Sequence, residues 1–284
     1  MLALFLPLAC LAAGVCGSPV SLETSAGILD SAAALQPWLI STRRALHRIP
    51  ELGFEEFKTA AYIEGFLKEQ NISYEAGIAT TGIIATIGSG RPVVMLRTDI
   101  DALPIQEPEG FADASEHPGR MHACGHDTHM TMLMGAARLL AKEDAATSGG
   151  LKGTVKLVFQ PFEEGGAGAD IMLKTGALDS IEAAFGMHVM PHMAAGIVGT
   201  RPGTIMAGAL SFHATVTGRG GHAALPHLNI DPMPAAAAVV SALQTIVSRE
   251  ISPLGSGIVS VTFFNGGNSF NVIPDYVEFG GTIR

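Results

Sequence analysis

Short apolar runs bounded by glycine and proline alternate along this chain with longer stretches of helical period. That alternation restricts it to folds that bury strands between helices. Residues 26–48 and 55–70 repeat their apolar positions at helical spacing, the first stretch ending near Pro50. Residues 82–88 and 92–97 are apolar, β-rich and flanked by Gly and Pro, which suits buried strands. Helical period returns over residues 128–142, and residues 154–159 and 183–189 read as further strands. Strands that are apolar on both faces need helices on both sides, so the expected class is α/β, a sheet covered by helices.

The pattern changes after about Gly203. Residues 210–217 alternate as a strand, 234–249 form an Ala- and Val-rich helix, and 258–264 and 276–283 are strands again. This order predicts a smaller α+β domain over residues 204–284, following a first domain over residues 25–203. The last strand runs to Arg284 with no closing loop or helix, which leads us to expect that both domains are incomplete at the C-terminal side.

A chain of 284 residues can bury a sizeable core in one large or two smaller domains. Its formal charge of -9 and the lack of any basic run exclude a broad nucleic-acid footprint. Residues 1–17 are apolar, then small, and precede Ser18-Pro19, so a secretory signal peptide is expected. A buried N-terminal helix or a short anchor stays open, because a basic start is missing and Pro7 interrupts the run. No later stretch reaches the length of about 20 apolar residues that spans a bilayer, so no membrane association is expected after leader removal. The expected route is secretory, the lumen of the endoplasmic reticulum included. Cys10 and Cys16 fall in the leader, which leaves Cys124 as the one remaining thiol and makes metal binding, catalysis or packing its role.

Chemistry-bearing residues gather in four places. In Met121-His122-Ala123-Cys124-Gly125-His126-Asp127-Thr128-His129, five ligand or proton-transfer groups fall within eight positions where a loop enters a helix. Thiolate and imidazole both suit borderline divalent metals, although Asp127 could simply help cap the helix. Glu163 and Glu164 follow an apolar strand, at the strand end where open α/β sheets keep their sites; a solvated loop is the plainer alternative. His188 also follows a strand, and taken alone it is more simply a packed or solvated residue. Asp99 and Asp101 end a further strand, where they can accept a hydrogen bond from a ligating imidazole or pair with Arg97 at the surface.

Taken in order, Arg97-x-Asp99-x-Asp101-Ala102-Leu103-Pro104, His122-Ala123-Cys124-Gly125-His126-Asp127, Glu163-Glu164-Gly165 and Gly186-x-His188-Val189 resemble the M20 family of metallopeptidases and amidohydrolases. The Cys-Gly-His-Asp form is similar to the branch that acts on hippurate and indole-acetyl amino acids. The resemblance covers residues from about Leu35 to Arg284 and implies two divalent ions, manganese or zinc, in one cleft. It implies Cys124, His126, Glu164 and His188 as ligands, and Glu163 as the acid–base that moves a proton from water to the leaving amine. It implies Asp99 as the carboxylate behind a ligand.

The second domain resembles the family's lid and dimerisation domain. His222, among Gly218, Gly220 and Gly221, would reach a partner's site and stabilise an oxyanion. A turn histidine is the alternative. Asn271 and Arg284 are implied near the substrate. The implied substrate is an N-acyl amino acid, the implied assembly a homodimer through the lid, and the implied activity metal-dependent hydrolysis of a linear amide. Family members continue by about a further domain, which returns to the catalytic domain with another histidine ligand. No histidine follows His227 here, so one ligand position is expected to be left open. Two other readings stay open: a truncated, inactive homologue that serves as a dimerising or binding module, and a dipeptidase.

Overall fold

The computed structural model describes residues 22–284; the leader expected over residues 1–17, with Cys10 and Cys16, lies outside the described residues. The chain divides into two compact units, Met1–Met193 and Ala194–Arg284. This division precedes the change of texture near residue 203, because residues 194–209 form no helix or strand and leave no periodicity to read.

The first unit runs α1 (Leu22–Ala34), α2 (Gln36–His47), α3 (Phe57–Glu69), β1 (Ser73–Ile78), β2 (Gly82–Asp99), α4 (His126–Ala146), β3 (Lys152–Gln160), α5 (Gly168–Lys174) and β4 (Ala183–Gly186). The single helix expected over residues 26–48 is two. Pro37 sits in the first turn of α2, where it has no amide to give the preceding turn, so the helix restarts there.

β2 is longer than either strand expected from the sequence, and its register explains why. Its first arm pairs with β3 in descending order, Ile83 with Phe159 through Gly88 with Thr154. Its second arm pairs in ascending order, Val93 with Thr154 through Asp99 with Gln160. The chain therefore reverses near Ser89–Pro92 and places β3 between the two arms. β1 pairs antiparallel with the first arm, and β4 pairs parallel with the second. The second arm of β2, β3 and β4 thus run in one direction, and their carboxyl ends share one edge of the sheet.

Both faces of that sheet are covered. On one side Leu46, Ile63, Leu67, Met130 and Met134 from α2, α3 and α4 pack on Ile83, Leu157 and Phe159. On the other, Met172 of α5 and Leu178 pack on Ile84 and Val158. Neighbouring residues such as Leu157 and Val158 face opposite sides, as the two-residue period of a strand requires. Trp38, the one tryptophan, lies 5.6 Å from the ring of Phe66 and packs against the larger cluster.

The second unit holds β5 (Leu210–Thr217), β6 (Gly221–His222), α6 (Pro232–Thr245), β7 (Val259–Asn265), β8 (Val272–Ile273) and β9 (Tyr276–Ile283). β5, β9 and β7 form an antiparallel sheet in that order, with Ala236 of α6 packed on Val277 and Phe279. The start of α6 is set by Asp231, whose carboxylate accepts the Met233 amide at 2.9 Å, and by Pro232 at the first helical position. No helix among the described residues is long and apolar enough to cross a membrane.

Leu157 is fully buried at the centre of the sheet. Leu157→Ala is expected to destabilise the first unit by about 2–5 kcal/mol. Urea unfolding followed by Trp38 fluorescence measures this directly.

Candidate metal centre

The shared edge of the parallel strands collects the residues singled out in the first unit. Asp99 ends β2, Glu163 and Glu164 follow β3, and His188 follows β4. Cys124 and His126 arrive on the loop and first turn of α4, whose N-cap is Gly125 at φ +93°. A side chain at 125 would be strained there, and its Cβ would lie 2.6 Å from Val189.

Three overlapping sets of ligand atoms converge, each with all its atoms within 4.8 Å of one another: Cys124, His126 and His188; His126, Glu163 and Glu164; and Asp99, His126 and His129. Hydrogen bonding separates the imidazoles that can take a metal from the one that cannot. His126 is fully buried, and its Nδ1 donates to the Asp101 carbonyl at 2.8 Å. That tautomer leaves Nε2 with a bare lone pair and no hydrogen-bond partner among the described residues. Nε2 lies 3.8 Å from Glu164 Oε1 and 3.9 Å from Glu163 Oε2. His188 repeats the arrangement: Nδ1 donates to the Val189 carbonyl at 2.7 Å, and Nε2 faces Cys124 Sγ at 3.3 Å. Both rings point Nε2 at the cluster.

His129 is different. Its Nδ1 donates to Asp99 Oδ1 at 2.7 Å, and its Nε2 accepts the Val189 amide at 3.0 Å. With both nitrogens engaged it has no lone pair to offer, so it braces the loop that carries His188. Sequence reasoning assigned it no role. Its signal was the three-residue spacing from His126, which puts both rings on one helix face.

The carboxylates sort in the same way. Asp99, implied behind a ligand, hydrogen-bonds to His129 and receives Arg97 Nη1 at 2.9 Å. It is buried, so its pairing with Arg97 is not a surface contact. Asp101 stands behind His126 and also accepts the Glu164 amide at 3.0 Å. The Glu163 carboxylate accepts no hydrogen bond among the described residues. Burial, then the neighbouring Glu164 and Asp99 charges, raise its pKa above the usual carboxylate value.

The donor set suits divalent cations. Burial and the charges of Glu164, Glu163 and Asp99 push the Cys124 thiol up to about 12. So much converging negative charge beside one bare buried imidazole nitrogen is balanced best by cations, which would also draw the thiol into its thiolate form. Beside the cluster, Asp127 does more than help start α4: it accepts Arg43 Nε at 2.7 Å and pairs with His47 Nδ1 at 2.8 Å. His122 is buried with neither ring nitrogen partnered among the described residues, and burial brings its pKa down to about 4, so it is neutral.

In the second unit, β6 and β8 pair His222 with Val272 and so set it close to Asn271, whose carbonyl accepts the Ala223 amide at 2.9 Å. His222 is exposed, and its Nδ1 accepts the Ala224 amide at 3.1 Å. Arg284 pairs through its backbone with Ile258.

Burial works against a charge on Asp99, but the His129 hydrogen bond and the charges of His126 and Arg97 outweigh it and hold the carboxyl at about 2. In an unfolded chain the same group titrates near about 4. The ionised form therefore stabilises the fold above that pH, and the contribution is lost as pH falls through the folded value. We expect the urea midpoint of the metal-free chain, read by Trp38, to fall between about pH 4 and about pH 2. Asp99→Asn should flatten that fall.

Comparison with known proteins accords with this geometry. The profile of peptidase family M20/M25/M40 matches residues 95–282. An IAA-amino acid hydrolase ILR1-like 5 from Arabidopsis thaliana is 49% identical over 248 residues, 87% of this chain and 56% of that protein. The N-acetyl-L-cysteine deacetylase of Bacillus subtilis is 46% identical over 94% of this chain and 61% of its own length. The chain thus spans between half and two thirds of these curated relatives. Among solved structures, a dinuclear metal binding peptidase of the M20 family from Bacillus subtilis superposes with a TM-score of 0.70 at 40% identity, covering 89% of this chain and 65% of that one. A Staphylococcus aureus structure reaches 0.82 at 39% identity, covering 92% and 69%. The family match takes in Asp99, Cys124, His126, Glu163, Glu164 and His188 together, and the chain belongs to peptidase family M20/M25/M40.

Proposed function

We propose that this chain hydrolyses the amide bond of N-acyl amino acids at a centre of two divalent cations held by Cys124, His126, Glu164 and His188. The observation that carries the reading is the pair of imidazoles whose Nδ1 atoms are tied back, so that Nε2 of His188 faces Cys124 and the bare Nε2 of His126 faces the two glutamates. Bound cations at such a site supply Lewis acidity, polarising a carbonyl and acidifying water. Glu163 does the proton work. Its carboxylate is uncommitted and its raised pKa suits an acid–base group. It takes the proton of the water that adds to the acyl carbon. As the C–N bond breaks, it returns the proton to the amine, leaving a carboxylate and an amino acid. Asp99 acts behind the cluster through His129.

Indole-acetyl amino acids are the proposed substrates, supported by the names of relatives from Arabidopsis thaliana; N-acetyl amino acids are supported by those from Bacillus subtilis. Manganese and zinc both suit a set of one thiolate, imidazoles and carboxylates. His222 is proposed to stabilise the oxyanion, with Asn271 and Arg284 binding substrate. The second unit is proposed to form a homodimer, which the exposed Leu210, Val239, Phe263 and Phe264 favour. The proposed route is secretory.

Glu163→Gln is expected to lower kcat by about 10²–10⁴-fold while metal content stays at wild-type level. Metal analysis beside an indole-acetyl-alanine hydrolysis assay checks both halves. Removal of metal by a chelator should abolish turnover, and added manganese or zinc should restore it. A chain that holds two ions yet hydrolyses no N-acyl amino acid would refute the enzymatic reading and leave a binding or dimerising module. Faster turnover of dipeptides than of acyl amino acids would make it a dipeptidase. Sedimentation at micromolar concentration tests the dimer.

A further inference from the structure

Behind the Glu163–Glu164 pair lies a fully buried carboxylate, Glu56, with no cationic partner among the described residues. It occupies the N-cap of α3 but makes no side-chain cap to that helix. The nearby Glu51 shows the ordinary arrangement, accepting the amide and hydroxyl of Thr59 in the first turn at 2.9 and 3.0 Å. Glu56 turns elsewhere. Its Oε2 takes the Thr81 hydroxyl at 2.6 Å, and its Oε1 takes the amide of Phe162 at 3.0 Å, far along the chain. Burying an unpaired carboxylate is costly, and one retained there needs a reason beyond capping.

Phe162 is the residue before Glu163, and its backbone is held at φ +41°, a conformation an aromatic residue rarely adopts. Its ring fills a slot left by two glycines. A Cβ at Gly53 would lie 2.0 Å from the ring, and one at Gly166 1.9 Å. Phe54 closes the slot edge-on, with centroids 5.0 Å apart. On the far side of the pair, the Glu164 amide is fixed by Asp101, which also orients His126. The loop is therefore pinned at 162 from one side and at 164 from the other, with Glu163 between.

We infer that Glu56 is a positioning residue for the Glu163–Glu164 pair: by holding the Phe162 amide it fixes the loop so that Glu164 faces the ligand cluster and Glu163 stays free. This rests on the metal-binding reading above and deepens it. It predicts that the acceptor at Glu56 Oε1 controls metal affinity separately from stability.

The test uses the full chain and its Glu56→Ala, Glu56→Met, Glu56→Gln, Thr81→Val and Glu164→Ala variants. Zinc affinity is measured by competition with a chelator, and stability by thermal unfolding of the metal-free protein. Glu56→Ala should weaken zinc binding by about 10–100-fold, the range for losing a group that orients a ligand. Glu56→Met keeps the volume without the acceptor; it guards against a cavity that stops Ala from folding, and it should show the same loss. Glu56→Gln, whose amide oxygen still accepts from Phe162, should bind zinc close to wild type. Thr81→Val should lower the melting temperature and leave zinc affinity unchanged. A folded Glu56→Met that binds zinc as wild type does, or a Thr81→Val that weakens zinc as much as Glu56→Met, would overturn the inference. Undiminished zinc binding in Glu164→Ala would instead overturn the ligand assignment on which it rests.

Discussion

Three strand arms running the same way hold this centre together. A parallel strand delivers its last residue to the same edge as its neighbours, whatever the sequence distance between them. The second arm of β2, β3 and β4 therefore set Asp99, the Glu163–Glu164 pair and His188 side by side, although they are tens of residues apart. The arrangement depends on the reversal of β2 near Ser89–Pro92. Had the chain continued without it, Asp99 would not end beside Gln160 of β3.

Within that edge, the direction of each imidazole proton decides what each histidine can do. Four residues of the cluster are each oriented from behind: His126 and Glu164 by Asp101, His188 by its own loop carbonyl, and Cys124 by the left-handed Gly125 turn. His129 spends both nitrogens on Asp99 and the Val189 amide, so a third ring in the same space serves as a strut. Preorganisation of this kind matters because a misdirected lone pair costs a ligand bond outright, whereas a loose backbone costs only entropy.

Much of this was legible in the residues. The period-2 and helical stretches marked α3, α4, β3, β5 and β9 within a few positions, since long apolar periodicity survives tertiary context. Several short elements were not marked. β1, β6, β8 and α5 are too brief or too polar to carry a period, and they exist because a neighbour pairs with or covers them. The break between α1 and α2 was written in Pro37, and reading through it made one helix of two.

By itself, the sequence determined the class of the fold and the inventory of the site, because burial patterns and ligand-type residues are properties of local order. It held Cys124, His126, Glu163, Glu164 and His188 in recognisable motifs and set each at a strand end or helix start. Only the tertiary structure decided which nitrogen each ring exposes, that Asp101 rather than Asp99 stands behind His126, and that Glu56 reaches Phe162. Those outcomes rest on hydrogen bonds between residues up to about a hundred positions apart. Such bonds follow from strand direction and close packing, which no local pattern encodes.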